Sequence, residues 1–97
     1  MKENVLQRDI IRFCSTNNIY CINIYGSGMT AKGVPDLILC INGKFVAFEC
    51  KVGNNTPQID QVINGKRIKK CGGLWFVPYS LDEAITIIKN VKGGYYG

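Results

Sequence analysis

Hydrophobic residues near the N-terminus recur with the spacing of a helix. Leu6, Ile10, Phe13 and Cys14 fall on one stripe, while most charged residues of this segment occupy the other positions. The repeat of about 3.6 residues predicts an amphipathic helix over residues 2 to about 16, which the Asn17-Asn18 pair would end. The first element should therefore bury one face and expose the other.

Three runs rich in β-branched and aromatic residues then predict strands. The first covers residues 19–25 and is followed by a polar, glycine-rich loop over residues 26–33. The second and third are Leu37–Ile41 and Lys44–Val52, separated by Asn42-Gly43. Asn-Gly is the strongest short signal for a two-residue hairpin with a type I′ turn, so these two strands should pair antiparallel.

A second helix should follow the hairpin after a short loop. Thr56 is a suitable N-cap and Pro57 suits the first helical position, so the helix is expected to run to about Cys71. Gly72-Gly73 then supplies the left-handed conformation that commonly ends a helix. Gly65 lies inside this segment and would weaken the helix by about 1 kcal/mol relative to alanine.

The remaining residues predict a short buried strand and a final helix. Leu74–Val77 is fully apolar, and the sequence from Ser80 to Glu83 forms a capping box. Residues 92–97 are expected to form a flexible tail. The inward side chains of the last helix should be Leu81, Ala84, Ile85 and Ile88. The order α-β-β-β-α-β-α predicts a single α/β domain over residues 1–97, with a mixed sheet.

Composition excludes several kinds of chemistry. A chain of 97 residues suits one domain with one core. The absence of histidine removes Ser-His-Asp and Cys-His hydrolases and every nuclease with a histidine base. The cysteines are too far apart for a zinc site and each falls in an apolar stretch, so we expect reduced thiols in the core. They are Cys14, Cys21, Cys40, Cys50 and Cys71.

The charge balance favours a polyanionic partner. Twelve Lys and Arg against seven Asp and Glu leave a formal net charge of +5. Such a surface attracts phosphate backbones, although a solvated basic face is also consistent with these numbers. No stretch approaches the roughly 18 apolar residues of a membrane span, and no charged-then-apolar leader opens the chain. We therefore expect a soluble, cytoplasmic protein without a membrane partner.

The hairpin register places two carboxylates opposite each other. A two-residue turn pairs Ile41 with Lys44, and continuing this register puts Asp36 opposite Glu49. Directly opposed side chains on antiparallel strands are about 5 Å apart, so two carboxylates there repel unless a proton or cation lies between them. Alternation along the strand puts Lys51 on the same face as Glu49. These three residues are the candidate chemical centre.

Two carboxylates suit a hard cation that keeps several waters and accepts phosphate oxygens. Asp36, Glu49 and a backbone carbonyl such as that of Cys50 would hold Mg²⁺ or Mn²⁺. The chemistry that fits is phosphodiester hydrolysis, with Lys51 orienting the attacking water or neutralising charge on the phosphate. One metal and two remain equally open. A simple ion pair between Lys51 and one acid is the alternative interpretation of the same residues.

Four sequence features include or follow the candidate centre: GVPDL at residues 33–37, FECK at residues 48–51, the glutamine at position 61, and Gly72-Gly73 before a buried strand. In combination they resemble the VRR-NUC group of the PD-(D/E)XK nuclease superfamily, in its compact, stand-alone, virus-type form. The resemblance covers nearly the whole chain. It implies a restriction-endonuclease-like core, which is a central mixed sheet flanked by helices.

The resemblance also implies roles for particular residues. Asp36 and Glu49 would be metal ligands, Lys51 the catalytic lysine and Gln61 a supporting active-site residue in Mg²⁺- or Mn²⁺-dependent DNA cleavage. Gln58 competes with Gln61 for the last role. The family places an acidic residue on its first helix, and Glu3 is the candidate, although a carboxylate at a helix N-terminus is also favoured by the helix dipole.

Compact family members resemble Holliday-junction resolvases, which are homodimers that cut both sides of a four-way junction. The resemblance therefore implies a structure-selective endonuclease acting as a homodimer, in the replication and repair of a phage or mobile element and thus in a host-cell cytoplasm. A DNA nuclease without junction preference is one alternative. A DNA-binding module that does not cut is another.

Basic residues near the predicted site are candidates for DNA contacts. One lies in the loop before Asp36, and a dense group lies on the helix that carries Gln61. Neutralising phosphates would make binding depend on salt, whereas a solvated helix face would not bind at all. These candidates are Lys32, Lys66, Arg67, Lys69 and Lys70.

Overall fold

The structure is a computed structural model that describes residues 1–24 and 31–96, and within them the elements follow the predicted order. Three helices and four strands form one α/β domain with a mixed sheet, which confirms the predicted fold class. The elements are α1 (Glu3–Thr16), β1 (Tyr20–Asn23), β2 (Leu37–Ile41), β3 (Lys44–Phe48), α2 (Ile59–Lys70), β4 (Leu74–Phe76) and α3 (Leu81–Lys92). The first strand is shorter than predicted, and residues 25–30, which hold its predicted end and most of the polar loop, lie outside the described residues.

The hairpin forms in the predicted register. Asn42 and Gly43 both have positive φ, at 51° and 78°, as a type I′ turn requires. The ladder runs from Ile41 opposite Lys44 to Leu37 opposite Phe48. This confirms the turn as the feature that sets which residues face each other.

Strand β3 ends at Phe48, four residues earlier than predicted. From Glu49 onward the backbone turns its hydrogen bonds toward the β4 side of the sheet. The Glu49 N–H donates to the Phe76 carbonyl at 3.0 Å, and the Lys51 N–H donates to the Pro78 carbonyl at 3.2 Å. Backbone hydrogen bonds to the β4 side therefore continue past the end of β3, while on the hairpin side the Cys50 N–H donates to the Asp36 side chain.

The sheet has the order β1-β2-β3-β4, with an antiparallel meander followed by β4 parallel to β3. One face packs against α1 and α3 and forms the core, because alternate strand residues point toward these helices. Helix α2 packs against β4 on the other face. The core side chains are Leu6, Ile10, Cys14, Leu37, Leu39, Ile41, Val46, Phe48, Ala84, Ile88 and Val91, all fully or almost fully buried.

Helix α2 begins at Ile59, two residues later than predicted. Gln58 rather than Thr56 is the N-cap, because the Gln61 side chain accepts a hydrogen bond from the Gln58 N–H at 2.8 Å. Gly65 in its interior lies against the indole of Trp75, where a Cβ would come within 2.3 Å of the ring. Glycine lowers the helix propensity at this position but permits the close contact with β4. Gly72 ends the helix with φ at 95°, as predicted.

Helix α3 begins at the predicted cap, where the Ser80 Oγ accepts a hydrogen bond from the Glu83 N–H at 3.1 Å. Its buried residues include Ala84 and Ile88, as predicted, but the third is Val91 rather than Ile85. Ala84, Ile88 and Val91 have the i, i+4, i+7 spacing of one helix face, whereas Ile85 lies roughly 100° around the helix from Ala84. None of the helices in the described ranges is long and apolar enough to cross a membrane.

The cysteines are only partly in the core. All five are free thiols; Cys14 and Cys50 are buried and Cys21 is half-buried. The prediction is wrong for Cys40 and Cys71, which are exposed. Cys40 points away from the core because the hairpin register assigns it to the opposite face from Leu39, and Cys71 lies at the C-terminal cap of α2.

Candidate active site

The two predicted carboxylates lie side by side at the end of the hairpin. Asp36 precedes β2, and its N–H donates to the Phe48 carbonyl at 3.0 Å. Its side-chain Oδ2 accepts a hydrogen bond from the Cys50 N–H at 2.9 Å. These two bonds hold Asp36 beside the end of β3, where Glu49 follows Phe48. The local hairpin geometry thus brings together the acids that the register predicted to face each other.

Burial makes this carboxylate pair electrostatically costly. Asp36 is 9% exposed and Glu49 is 1% exposed. Burial is the main cause that raises the pKa of Glu49 to about 8, and the negative charge of Asp36 raises it further. Burial also raises the pKa of Asp36, although the hydrogen bond from the Cys50 N–H opposes this. At neutral pH the metal-free pair therefore favours holding one proton between its two carboxyl groups.

Lys51 lies beside the pair, on the same side of the strand as Glu49. Its Nζ is 3.9 Å from Glu49 Oε2 and 4.0 Å from Glu3 Oε1. The lysine side chain is only 9% exposed. A buried ammonium needs acidic partners, and here the carboxyl groups of Glu49 and Glu3 both lie within 4.0 Å of the charge.

Gln61 joins helix α2 to the site. Its Nε2 donates to Glu49 Oε2 at 3.0 Å, while its Oε1 accepts from the Gln58 N–H at 2.8 Å. These two contacts decide which end of the amide faces the carboxylate, since a carboxylate oxygen can only accept. Of the two candidate glutamines, Gln61 brings its side chain to Glu49, and Gln58 supplies a backbone donor that orients it.

Glu3 also reaches the site, from the first residue of α1. Besides its contact with Lys51, it accepts a hydrogen bond at Oε2 from Asn55 Nδ2, at 3.2 Å. Asn55 was not among the predicted site residues. Its sequence context, Gly53-Asn54-Asn55, indicates a turn and nothing more, so only the folded structure connects this loop to the site.

The donor set fits a hard divalent cation. Among the described residues, the buried Glu49 Oε1 receives no hydrogen bond, which leaves an oxygen available to a cation that displaces the proton of the pair. No three His, Cys, Asp or Glu side chains converge on one point in the described ranges, so the protein would supply two carboxylates. Mg²⁺ commonly uses one or two carboxylates and keeps several waters. Burial raises the pKa of the Cys50 thiol, so its hard donor is the backbone carbonyl and not sulfur.

The predicted DNA-binding residues lie on the α2 side of the site. Asn64 of α2 donates from Nδ2 to the Lys32 carbonyl at 3.3 Å, which attaches the loop before Asp36 to this helix. Gly33 beside it packs so closely that a Cβ would come within 2.4 Å of the Asp60 carbonyl oxygen. The basic side chains of α2 lie about 8 to 14 Å along the axis from Gln61. All five predicted DNA-binding residues, in the loop and on α2, are exposed: Lys32, Lys66, Arg67, Lys69 and Lys70.

Two solved structures share this fold. One is a VRR_NUC domain, with a TM-score of 0.73 and 22% sequence identity over 90% of this chain and 94% of its own. The other, a VRR_NUC domain protein, has a TM-score of 0.72 and 20% identity over 93% of this chain and 87% of its own. No protein-family model and no curated protein matches the sequence. The chain therefore has the fold of a VRR_NUC domain, which confirms the resemblance in its architecture.

Proposed function

We propose that this chain is a VRR-NUC member of the PD-(D/E)XK superfamily that hydrolyses DNA phosphodiester bonds with Mg²⁺ or Mn²⁺. The observation that carries the proposal is the buried pair of Asp36 and Glu49 with Lys51 3.9 Å from Glu49. Two buried acids held together cost stability unless a cation or proton compensates them. A site of this kind on a VRR_NUC fold is best explained by metal-dependent phosphodiester hydrolysis.

Each side chain has a distinct part in the reaction. Asp36 and Glu49 would hold the cation, which when bound polarises the scissile phosphate and lowers the pKa of a coordinated water. Lys51 places an ammonium where it neutralises negative charge that grows on the phosphate. Gln61 occupies Glu49 Oε2 with a hydrogen bond, which leaves Oε1 as the oxygen for the cation.

DNA would approach across the α2 side of the molecule. The net charge of +5 and the exposed basic side chains of α2 favour binding of a phosphate backbone close to the carboxylates. Binding of this kind releases counterions, so the affinity should fall steeply as salt increases.

The active form that we propose is a homodimer that cuts four-way junctions. The sheet face opposite the core carries an uncharged row in which Tyr20 pairs with Cys40 and Cys40 pairs with Phe45. Tyr20 is 69% exposed and Phe45 is 49% exposed, so these two rings alone leave roughly 200 Å² of aromatic surface open.

This face continues into an open groove between β3 and α2. The groove has a volume of about 530 Å³; Phe45 and Ile68 form its apolar part, and Arg67, one of the candidate DNA contacts, also lines it. An uncharged row of this size offers little to phosphates but suits a second copy related by a two-fold axis, because the same patch then meets itself. Two sites related in this way would cut two strands of a junction.

The deciding experiment is cleavage of labelled four-way junction, flap and linear duplex by the purified protein. Each DNA is incubated with Mg²⁺, with Mn²⁺ and with EDTA, and Asp36→Ala is compared with the exposed Asp82→Ala as matched control. We expect paired cuts in the junction that vanish with EDTA and in Asp36→Ala but persist in Asp82→Ala. Equal cutting of all three DNAs would remove junction preference, and binding without any metal-dependent cut would leave a DNA-binding module.

The dimer is tested separately by sedimentation of Phe45→Glu and of Tyr95→Glu, which changes an exposed aromatic residue outside the row. We expect the wild-type protein and Tyr95→Glu to sediment as dimers and Phe45→Glu as a monomer. A wild-type protein that remains monomeric on junction DNA would rule out this assembly.

A further inference from the structure

Asn55 lies in a turn whose backbone is anchored on both sides. Its N–H donates to the Val52 carbonyl at 3.1 Å, which closes the turn directly after Lys51. Gly53 occupies this turn with φ at 59°, a conformation that other residues rarely adopt. The Asn55 carbonyl accepts a hydrogen bond from Tyr79 Oη at 2.8 Å, so the turn is also tied to the connection between β4 and α3. The position of Asn55 is therefore set by its main chain.

The Asn55 side chain begins a chain of polar contacts that ends at the carboxylate pair. Its Nδ2 donates to Glu3 Oε2 at 3.2 Å. The other oxygen of Glu3 lies 4.0 Å from Lys51 Nζ, and Lys51 Nζ lies 3.9 Å from Glu49. Because a carboxylate only accepts hydrogen bonds, the amide nitrogen of Asn55 must be the end that faces Glu3.

Lys51 needs such support because of its own flexibility. Its backbone is fixed by the hydrogen bond to Pro78, but four methylene groups separate the ammonium from that backbone. On one side, Glu49 is held by Gln61. The second acidic partner is Glu3, whose flexible side chain is 31% exposed. A fixed donor at Asn55 limits the directions in which Glu3 can point, and hence where Lys51 is held.

We propose that Asn55 is a positioning residue for Lys51 and acts through Glu3. This proposal rests on the function proposed above, in which Lys51 faces the scissile phosphate. Asn55 does not touch the reacting atoms in this arrangement. Its removal should lower the rate of the chemical step while leaving DNA binding intact, because the basic residues of α2 lie on a different element.

The matched variants are Asn55→Ala and Asn54→Ala, which remove the same side chain from neighbouring exposed positions of one turn. For whichever DNA the wild-type protein cuts, we expect Asn55→Ala to lower kcat by about 3- to 10-fold, with KM within about twofold of wild type. Asn54→Ala should behave as wild type. Because the anchoring contacts of the turn are made by the Asn55 main chain, both variants should keep the wild-type melting temperature.

A double-mutant cycle separates an effect through Glu3 from a general effect on the loop. If Asn55 acts through Glu3, then Asn55→Ala should cause no further loss in a Glu3→Ala background. Losses that multiply would overturn the proposal, because Asn55 would then act by another route. Asn55→Asp is a sharper variant: it keeps the shape but sets a second carboxylate against Glu3, so kcat should fall further than in Asn55→Ala.

Lys51 labelling provides a readout that does not depend on cleavage. An amine-reactive acylating reagent is applied to the metal-free proteins, and modification of Lys51 is followed by mass spectrometry. We expect labelling of Lys51 to be about 2- to 5-fold faster in Asn55→Ala than in wild type or Asn54→Ala, because the ammonium gains freedom and exposure. Equal labelling in all three proteins would overturn the proposal. If the wild-type protein cuts no DNA, the proposed function fails, and this rate alone decides whether Asn55 positions Lys51.

Discussion

Two regions of this molecule are equally buried but have opposite effects on stability. The core between the sheet and helices α1 and α3 holds side chains such as Leu39 and Phe48, whose burial is favourable at about 25 cal/mol per Å² of apolar surface. The ends of β2 and β3 bury Asp36 and Glu49, whose desolvation opposes folding. Burial therefore stabilises the fold in the apolar core and opposes folding at the buried carboxylates.

Removing a charge from the polar region should produce the largest effect on activity and little loss of stability. Asp36→Asn keeps an acceptor for the Cys50 N–H but removes one of the two anions. We expect cleavage to fall by at least about 100-fold, because cation stabilisation is worth several kcal/mol. The melting temperature of the metal-free protein should stay the same or rise, which calorimetry can measure. A large fall in melting temperature would show that the pair is structural, and Asp82→Asn is the matched control.

Truncating a side chain of the apolar core should instead have its largest effect on stability. Leu39→Ala removes a fully buried side chain and should lower the free energy of unfolding by about 2 to 5 kcal/mol. The loss should be the same with and without Mg²⁺, as measured by urea denaturation. Ile22→Ala on the exposed side of β1 is the control and should cost much less. A similar cost at both positions would mean that the two faces of the sheet are not as different as their exposure indicates.

The pH dependence of stability should show how much the buried carboxyl group of Glu49 destabilises the fold when it ionises. Glu49 loses its proton near 4.5 in the unfolded chain but only near 8 in the metal-free folded protein. The folded state therefore binds the proton more tightly, and its stability falls as the pH rises from about 4.5 to 8. Glu49→Gln cannot ionise, so at pH 7 it should exceed the wild-type stability by about 3 kcal/mol, with the difference becoming small near pH 4.5.

Denaturation curves of both proteins between pH 4.5 and 8 would measure this difference. Addition of Mg²⁺ should raise the stability of the wild-type protein at pH 8 and leave Glu49→Gln almost unchanged, because a ligand stabilises only the state that binds it. Parallel pH curves for the two proteins would contradict the assignment of the raised pKa to Glu49.

The smallest effect is expected at the basic surface, which belongs to neither buried region. Lys66→Ala should weaken DNA binding modestly and reduce the slope of log affinity against log salt by about 1, without changing kcat. Lys89→Ala removes an equally exposed lysine from α3 and serves as the control. Fluorescence anisotropy at several salt concentrations would measure both slopes, and equal slopes would place the DNA elsewhere than on α2.

Much of the candidate site was predictable because it depends on one hairpin. Asn42-Gly43 can adopt the two left-handed conformations of a type I′ turn, and this local fact determines the register of β2 and β3. From the register it follows that Asp36 and Glu49 lie together and that Lys51 shares their side. Helix caps and glycine stops are equally local, so the order of elements could be predicted as well.

Contacts between distant elements were not predictable in the same way. Gln61 was selected by resemblance, but its hydrogen bond to Glu49 depends on how α2 docks, and that depends on the close approach of Gly65 to Trp75. The link from Asn55 to Glu3 spans 52 residues. No periodic pattern or short motif indicates such a pair, because the local preferences of Glu3 for a helix N-terminus and of Asn55 for a turn do not point to each other.

The sequence by itself determined the local geometry of this protein: its helices, its hairpin and the facing pair of acids, since backbone preferences within a few residues decide these features. Only the tertiary structure decided the surroundings of the site. It set the direction of β4, the burial that raises the pKa of Glu49 and the docking of α2 that brings Gln61 to Glu49. These depend on how complete surfaces pack together, and a surface exists only once the chain has folded.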